Sequence, residues 1–422
     1  MGNPTIQPRK LLKDLFAAAV QAADPMHCLH AHLPTPPKGR TVVVGAGKGV
    51  AQLARAFEQL WPTPVEGTVV TRYGYGAACE RIEVLEAAHP VPDRAGLKAS
   101  ERLFERVSGL TEDDLVVALI CGGGSALLPA PPQGFSLEDE IELNHILLKS
   151  GAPISVMNAL RKQFSRIKGG RLAAAAVPAR VSSLVVSDIP GDNPAFVASG
   201  PTIADAATPL EALQAANQYN ISLPSRIHAH IEQNALKWTG GEPQSTQNTI
   251  RIIASAGVSL EAAAAKARAH GLEAVILSDG MEGEAREAGL FHAALALEIE
   301  KADRPFSRPV VLLSGGETTV TVRGAGRGGR NTEFLLSFAN RIAGARHIHA
   351  LAADTDGIDG TEDNAGAFAD GTTAARLLQK GLQAGTLLAG NDAWSGFAAI
   401  DDLFVTGPTG TNVNDFRAIL IA

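Results

Sequence analysis

Short apolar runs rich in Val, Leu and Ile recur along the first half of the chain, each followed by a turn and a helical pattern. These runs lie at residues 41–44, 65–70, 82–87, 115–120 and 181–186. Strands that are apolar on both sides are typical of parallel sheets, because helices cover both faces of such a sheet. Helices are expected at residues 50–60, 96–107, 137–150 and 155–167. The pattern predicts an α/β fold with a mostly parallel sheet between two helical layers.

A second α/β pattern follows a polar stretch with Gly and Pro at residues 238–248. Since 422 residues are too many for one ordinary hydrophobic core, we predict two domains, at residues 1–240 and 250–422. The later strands are expected at residues 250–254, 274–277, 310–313, 318–322, 349–353 and 403–406. The later helices are expected at residues 260–270, 283–302, 331–342 and 372–380, and an amphipathic helix at 9–20. The sequence leaves open whether the last strand returns to the first domain.

One long window of the chain carries only positive charge. Residues 143–187 contain no Asp or Glu, although the whole chain has a formal net charge of -7. The window holds Lys149, Arg161, Lys162, Arg166, Lys168, Arg171 and Arg180. The acidic overall balance argues against a general nucleic-acid binder, so the window favours a small anionic ligand. Part of it is expected to be ordinary solvated surface.

Two predicted strands end in glycine-rich turns that suit phosphate binding. The first continues through Gly45 and Gly47 to Lys48 and opens a helix, which directs backbone N–H groups and a cation at an anion. The second continues as Gly122–Gly124 and Ser125, where consecutive glycines let a ligand approach the backbone. The second turn is not a G-x-S-x-G nucleophile elbow, which disfavours a serine hydrolase. Plain turns are the alternative for both segments.

Two carboxylates follow the strand at residues 181–186. Asp188 comes at its carboxyl end, where open α/β sheets bind ligands, and Asp192 follows across a Pro-Gly turn. The pair suits one metal ion, with turn capping as the alternative. The helix expected at 155–167 would place Arg161 and Lys168 on one face, and it would end near Gly169.

The second half of the chain contains a literal G-x-G-x-x-G at residues 324–329, the fingerprint of dinucleotide-binding enzymes. Asp354, at the end of a later strand, would suit the ribose of NAD. The strand before the fingerprint alternates Thr and Val, however, which suits a half-exposed antiparallel strand. The interleaved Arg327 and Arg330 suit contact with phosphates or a carboxylate. The loop after Asp354 resembles a calcium loop whose register Ile358 breaks, so a magnesium or substrate contact and a plain turn both stay open.

Together these motifs resemble the type II glycerate 2-kinase family. The resemblance is carried in the first half by residues 44–48, 121–126, 161–170, 187–192 and 199–202. Residues 314–320, 326–331 and 354–360 resemble its C-terminal MOFRL domain, and members often carry the name hydroxypyruvate reductase. The resemblance implies a Rossmann-like, mostly parallel three-layer domain followed by a mixed-sheet α/β domain. It also implies an active site in the cleft between the two domains.

The resemblance further implies a reaction: ATP and Mg²⁺ with D-glycerate as substrate, giving 2-phosphoglycerate and ADP. It implies Lys48 and Arg330 as catalytic cations, to which we add Asp188. Nucleotide contacts are expected from Gly45, Gly47, Gly122, Gly123, Gly124, Ser125, Lys168 and Gly169. Substrate contacts are expected from Arg161, Arg327 and His89. Metal ligands are expected among Asp188, Asp192, Glu317 and Asp354.

Two other functions stay open. An NAD(P)H-dependent hydroxypyruvate reductase of tartrate degradation would use the fingerprint at residues 324–329, and an anion-binding protein would use the same cations without turnover. The residues also leave open which hydroxyl reacts, which metal binds, and the oligomeric state, with a homodimer as one option. No apolar run reaches the length of a membrane span, so no membrane partner is expected. Three cysteines without a C-x-x-C pair fit a cytoplasmic location.

Overall fold

The computed structural model describes residues 7–204, 207–238, 240 and 245–422, which fold into two compact units. We call Pro25–Ile253 the central unit. The terminal unit joins Ala254–Ala422 to the described N-terminal residues up to Asp24. The linker predicted at residues 238–248 lies partly outside the described residues, at positions 239 and 241–244.

A six-stranded sheet lies in each unit. The strands of the central sheet are β1 (Thr41–Ala46), β2 (Val65–Arg72), β3 (Ile82–Ala87), β4 (Leu115–Ile120), β5 (Arg180–Val186) and β6 (Thr249–Ala254). The strands of the terminal sheet are β7 (Glu273–Glu284), β8 (Val310–Thr319), β9 (Ile348–Asp354), β10 (Gly366–Asp370), β11 (Leu403–Phe404) and β12 (Asp415–Ile421).

Helices connect the strands in both units. The described central unit contains α2 (Pro25–His30), α3 (Val50–Leu60), α4 (Arg94–Val107), α5 (Gly124–Leu127), α6 (Leu137–Lys149), α7 (Ile154–Gln163), α8 (Arg171–Ala175), α9 (Pro209–Gln218) and α10 (Ser225–Lys237). The described terminal unit contains α1 (Pro8–Ala22), α11 (Ala256–Ala269), α12 (Ala285–Ala302), α13 (Arg330–Arg341), α14 (Thr373–Gln379), α15 (Ala384–Ala389) and α16 (Ala393–Ala399). Ser136 and Thr208 start α6 and α9 with capping boxes, which satisfy N–H groups of the first turn. None of the described helices combines the length and the apolar character needed to cross a membrane.

The central sheet has the strand order β3-β2-β1-β4-β5-β6, and the pairs from β3 through β5 are parallel. Strands β1 and β4 are fully buried, which explains why their sequences are apolar on both sides. This is the Rossmann order, so the predicted fold class is confirmed. The order reverses between β1 and β4, and open α/β sheets bind ligands at the carboxyl ends of such strands.

The terminal sheet has the order β11-β10-β9-β12-β8-β7. Strands β7 and β8 are parallel, whereas the pairs that follow across the sheet are antiparallel, which confirms the mixed sheet. In the register, Asp415 at the start of β12 lies opposite Asp354 on β9 and Gly316 on β8. The carboxyl ends of β8 and β9 therefore meet the start of β12 at one edge of the sheet.

Several predicted elements are corrected by the structure. The strand predicted at 250–254 for the second domain belongs to the central sheet as β6, next to β5, where Thr249 Oγ1 donates to Ser182 Oγ at 3.1 Å. The strand predicted at 318–322 is the end of β8, which leaves the sheet after Thr319. The helix predicted at 155–167 ends as α7 at Gln163.

The N-terminal helix α1 belongs to the terminal unit, although we predicted residues 1–240 as one domain. Its apolar face, with Leu15 and Phe16, is buried in the same core as Leu260 and Phe416. Hydrophobic burial thus joins the two ends of the chain. Strands β11 and β12 both lie in the terminal sheet, which answers where the last strand goes.

Candidate active site

The loops that follow β1 and β4 meet at the carboxyl edge of the central sheet. The backbone N–H of Lys48 donates to Gly122 O at 2.9 Å, and Thr71 Oγ1 donates to Lys48 O at 3.1 Å. Lys48 is partly buried at this edge. These bonds fix the backbone of the lysine next to the glycine-rich loop.

Glycines at 122 and 123 let three functional side chains approach one loop. A Cβ at Gly122 would lie 1.7 Å from Asp188 Oδ2. A Cβ at Gly123, whose φ is +79°, would lie 3.0 Å from Lys48 Cγ and 3.2 Å from His89 Nε2. A side chain at position 122 would displace the Asp188 carboxylate, and the positive φ at position 123 favours glycine. The structure therefore brings together Lys48, His89 and Asp188, which the sequence places 40 or more residues apart.

The electrostatics of this edge keep His89 neutral. Burial lowers the pKa of His89 to about 4, and the positive charges of Lys48 and Arg72 add to the effect. Burial, together with the nearby Asp188 carboxylate, raises the pKa of the Cys121 thiol well above its ordinary value. At neutral pH the site therefore presents a neutral imidazole and an unreactive thiol.

A chain of hydroxyl groups leads away from the glycine-rich loop. Ser125 Oγ lies 2.9 Å from Ser199 Oγ, and Ser199 Oγ donates to Asn158 Oδ1 at 2.9 Å. Ser199 and its neighbour Ala198 have φ values of +59° and +52°, which are strained for residues other than glycine. A Cβ at Gly124 would lie 2.6 Å from the Ala198 side chain, so this strained segment packs directly on the loop.

Sequence reasoning assigned no role to Asn158 or Ser199. Both are buried, and the contact between them spans 41 residues. A left-handed serine has no sequence signature, because the positive φ is imposed by the surrounding fold.

Gly45 and Gly47 serve the packing of strands. A Cβ at Gly45 would lie 2.4 Å from Leu119 O, and one at Gly47 would lie 2.6 Å from Cys121 O. Both contacts are with β4 or the residue after it. The close approach of β1 to β4 accounts for these glycines, and their predicted contacts with a nucleotide stay a prediction.

Lys168 and Gly169, expected at the nucleotide, are tied into the protein. Lys168 is buried, and its Nζ donates to Glu140 Oε1 at 2.8 Å and to Leu128 O at 3.0 Å. Gly169 N donates to Ser199 O at 3.1 Å, and its φ is +66°. A buried, paired ammonium has a structural role, so we withdraw the nucleotide assignment for Lys168.

Arg161 does not share a helical face with Lys168, because α7 ends between them. Its Nε donates to Asn144 Oδ1 at 2.8 Å, and burial lowers its pKa. The basic window thus divides into internal contacts and exposed residues such as Arg166. Only part of it can meet an anion.

The four predicted metal ligands do not form one cluster. Among the described residues, no group of three or more His, Cys, Asp or Glu side chains is arranged to hold a metal ion. Asp192 is partly exposed in a turn with a φ of +51°. The carboxylate of Asp188 lies directly against Gly122. The magnesium site stays a proposal, with Asp188 as its best-placed residue.

Arg330, in the terminal unit, is held by three carboxylates. Its Nε donates to Asp415 Oδ1 at 2.6 Å, one terminal nitrogen to Asp354 Oδ2 at 2.7 Å and the other to Glu317 Oε1 at 3.2 Å. Although burial opposes the charged form, Asp415 and Asp354 raise the pKa of Arg330 above its ordinary value. Glu317 and Asp354, predicted as reserve metal ligands, are partners of this guanidinium, and their metal role stays a prediction.

Two residues without a predicted role complete this cluster. Asp415 is buried, and its second oxygen accepts from the fully buried Arg417 and from Thr318 N, the latter at 3.2 Å. Asp359 accepts from the N–H groups of Asn331 and Thr332 at 2.9 and 2.8 Å, and so caps α13 directly after Arg330. The start of the helix and the start of β12 together orient the arginine.

Arg327 lies on the surface of the terminal unit. Its guanidinium stacks over the ring of Trp394 at 3.9 Å, and it lies 3.6 Å from Glu362. Its predicted contact with substrate stays a prediction.

The G-x-G-x-x-G segment is not built as a dinucleotide turn. A Cβ at Gly324 would lie 2.3 Å from Gly390 O, and one at Gly326 would lie 2.4 Å from the Asp392 Cβ. These glycines are required by packing against the loop at residues 390–392. The segment also does not follow its strand directly, because β8 ends at Thr319, whereas the glycines of the fingerprint form the turn immediately after a strand.

Comparisons with known proteins agree with this architecture. A model described as Domain of unknown function (DUF4147) matches residues 11–232, and the MOFRL family model matches residues 310–415. A relative from Agrobacterium vitis, provisionally named hydroxypyruvate reductase, is 49% identical over 99% of this chain and 95% of its own. The D-glycerate 2-kinase of Thermotoga maritima is 38% identical over 98% of both chains. The crystal structure of glycerate kinase from the same organism has a TM-score of 0.90 and 37% identity, covering 98% of this chain and 99% of that one.

The chain therefore belongs to the type II glycerate 2-kinase family, and its terminal unit carries the MOFRL domain.

Proposed function

We propose that this protein transfers the γ-phosphoryl group of ATP to the 2-hydroxyl of D-glycerate, giving 2-phosphoglycerate and ADP. The observation that carries the proposal is the position of Lys48 beside a loop of glycines at the switch point of a Rossmann-type sheet. Phosphoryl transfer depends mainly on positioning and on neutralising the phosphate charge, which this arrangement supplies. Relatives named as glycerate kinases add independent support.

The residues at the carboxyl edge of the central sheet suit a nucleoside triphosphate. Backbone without side chains at Gly122 and Gly123 allows close approach of phosphate oxygens, and Lys48 supplies the cation. Asp188, against Gly122, is the residue that would hold Mg²⁺. When bound, that ion would neutralise part of the phosphate charge.

The transfer also needs a group to accept the hydroxyl proton. The C2 oxygen of glycerate bonds to the γ-phosphorus, the bond to the bridging oxygen breaks, and its electron pair leaves with ADP. His89 is neutral at physiological pH, and its Nε2 faces Gly123 beside Lys48. We assign this nitrogen as the acceptor of the proton.

Arg330 suits the recognition of a carboxylate or of transition-state charge. Guanidinium has five N–H donors, and the described contacts of Arg330 use one on each of its three nitrogens. Two donors are left for an anionic ligand. The role of Arg330 as a catalytic cation, which the resemblance implies, stays a prediction.

One assay with two readouts tests the proposal. ADP release is measured with ATP, Mg²⁺ and D-glycerate, and NADH oxidation is measured with hydroxypyruvate. We expect ADP release only when D-glycerate is present, and no NADH oxidation. NADH oxidation without ATP turnover would establish the reductase instead, and neither activity would favour an anion-binding protein. The cytoplasmic location and the homodimer stay predictions.

A further inference from the structure

The hydrogen bonds among Ser125, Ser199 and Asn158 determine which group receives the hydroxyl proton of Ser125. Asn158 Nδ2 donates to Phe196 O at 3.4 Å, and a carbonyl can only accept. The amide is thereby oriented with Oδ1 toward Ser199, which donates to it at 2.9 Å. Asn158 is 2% exposed and Ser199 is 0% exposed, so water does not compete for these bonds.

A hydroxyl group has one proton and two acceptor positions. Ser199 has given its proton to Asn158, so in its 2.9 Å bond with Ser125 it must be the acceptor. Ser125 is therefore the donor in that bond. What Ser125 can still offer a ligand is lone pairs, without a proton. Such a group recognises a hydroxyl donor and is repelled by the oxygens of a phosphate.

We propose that Ser125 accepts a hydrogen bond from the 3-hydroxyl of glycerate, and that the relay through Ser199 and Asn158 makes it an obligate acceptor. The proposal rests on the proposed function. It concerns the hydroxyl of Ser125 alone, and the sequence-based expectation that the loop at residues 122–125 contacts ATP phosphates through its backbone stays a prediction. It also bears on which hydroxyl group reacts.

Chemistry favours the 3-hydroxyl over the 2-hydroxyl as the partner of Ser125. The reacting hydroxyl must give up its proton, and a neutral serine is no base at physiological pH. His89, whose Nε2 lies next to Gly123, is the base that we assign for that proton. Ser125, two residues further along the loop, thus suits the hydroxyl that keeps its proton. Holding the primary hydroxyl leaves the secondary one to react.

The strain at Ser199 supports a functional relay. Ala198, Ser199 and Gly200 have successive φ values of +52°, +59° and +60°. The segment is fixed by backbone bonds from Gly169 N to Ser199 O at 3.1 Å and from Gly170 N to Gly200 O at 2.8 Å. Strained backbone persists where its surroundings determine it, and it clusters at sites of function. Here it aims a buried hydroxyl at the loop.

The test compares wild type with Ser125→Ala and Ser199→Ala. The measured quantities are kcat/KM for D-glycerate and the inhibition constant of D-lactate, which lacks the 3-hydroxyl. The ratio of 2- to 3-phosphoglycerate in the product is followed by ³¹P NMR. Ser183→Ala is the matched control, because Ser183 is a buried serine that pairs with Thr202 at 2.7 Å in the same unit, outside the relay.

Loss of one neutral hydrogen bond corresponds to about a tenfold lower kcat/KM for glycerate. We expect this fall in Ser125→Ala and a smaller fall in Ser199→Ala, with the lactate constant unchanged and the proportion of 3-phosphoglycerate increased. Equal weakening of glycerate and lactate, or no change in Ser125→Ala, would overturn the proposal. Absence of ADP release from the wild type would overturn the proposed function itself, so the two failures are distinguishable.

Discussion

At the scale of single residues, the decisive contacts lie between groups that are distant in the chain. Lys48 and the glycines after β4 could be predicted, because each motif is complete within a few residues. Asp415 could not, because its importance arises from lying opposite Asp354 in the terminal sheet. Strand β12 was not predicted either, because the charged residue Arg417 interrupts its otherwise apolar run.

Lys48→Ala tests the leading cation of the site. Removing a cation from a phosphoryl-transfer site is expected to lower kcat by about a thousandfold, because it no longer stabilises the charge of the transition state. Steady-state kinetics with D-glycerate measure the effect. Lys38, an exposed lysine of the same unit, provides the control variant Lys38→Ala. Near-normal turnover by Lys48→Ala would remove this residue from the mechanism.

His89 is expected to titrate at about pH 4, because burial, Lys48 and Arg72 all disfavour the imidazolium. Between this pH and the ordinary pKa near 6.5, His89 is protonated in the unfolded chain but neutral in the folded protein. The free energy of unfolding therefore falls as the pH is lowered through this range. The stabilisation that comes from the neutral His89 is fully present above pH 6.5. NMR titration of the imidazole signals, with His89→Gln for assignment, measures the pKa. A value near 6.5 would contradict this account of the site.

At the scale of elements, strands with both faces buried could be predicted, whereas strands that are partly buried and partly exposed could not. Strand β4, which is fully buried, matches its predicted bounds, since the apolar run and the flanking turns coincide. The end of β8 was predicted as a separate strand, and its buried Thr318 is hydrogen-bonded to Asp415 through both its N–H and its hydroxyl. Polar pairing of this kind leaves no periodic signal.

The cap of α13 is expected to stabilise the terminal unit. Asp359→Ala leaves the buried N–H groups of Asn331 and Thr332 without their acceptor, which costs about 2–4 kcal/mol in the free energy of unfolding. Urea unfolding followed by circular dichroism gives the value. The exposed Asp363, in the same loop, offers the control Asp363→Ala, for which a change within about 0.5 kcal/mol is expected. Equal effects of both variants would refute the capping role.

At the scale of the whole molecule, the chain leaves the terminal unit, builds the central unit and returns. The sequence predicted two α/β units, but it did not predict that the central unit is inserted into the terminal one. The amphipathic pattern of α1 shows that the helix has a buried face, but not which unit that face packs against. Leu15→Ala should therefore destabilise the terminal unit by about 2–5 kcal/mol, since Leu15 is completely buried in that core. Hydrogen exchange resolved by peptide should show faster exchange in the terminal sheet and no change in the central sheet. Lys10→Ala, on the exposed side of the same helix, is the control, and loss of protection in the central sheet would contradict the assignment.

The most direct test of the whole account is the chemical identity of the product. ³¹P NMR of a reaction containing the wild-type protein, ATP, Mg²⁺ and D-glycerate should show ADP and 2-phosphoglycerate in equal amounts. Unchanged ATP together with NADH-dependent reduction of hydroxypyruvate would contradict the central claim.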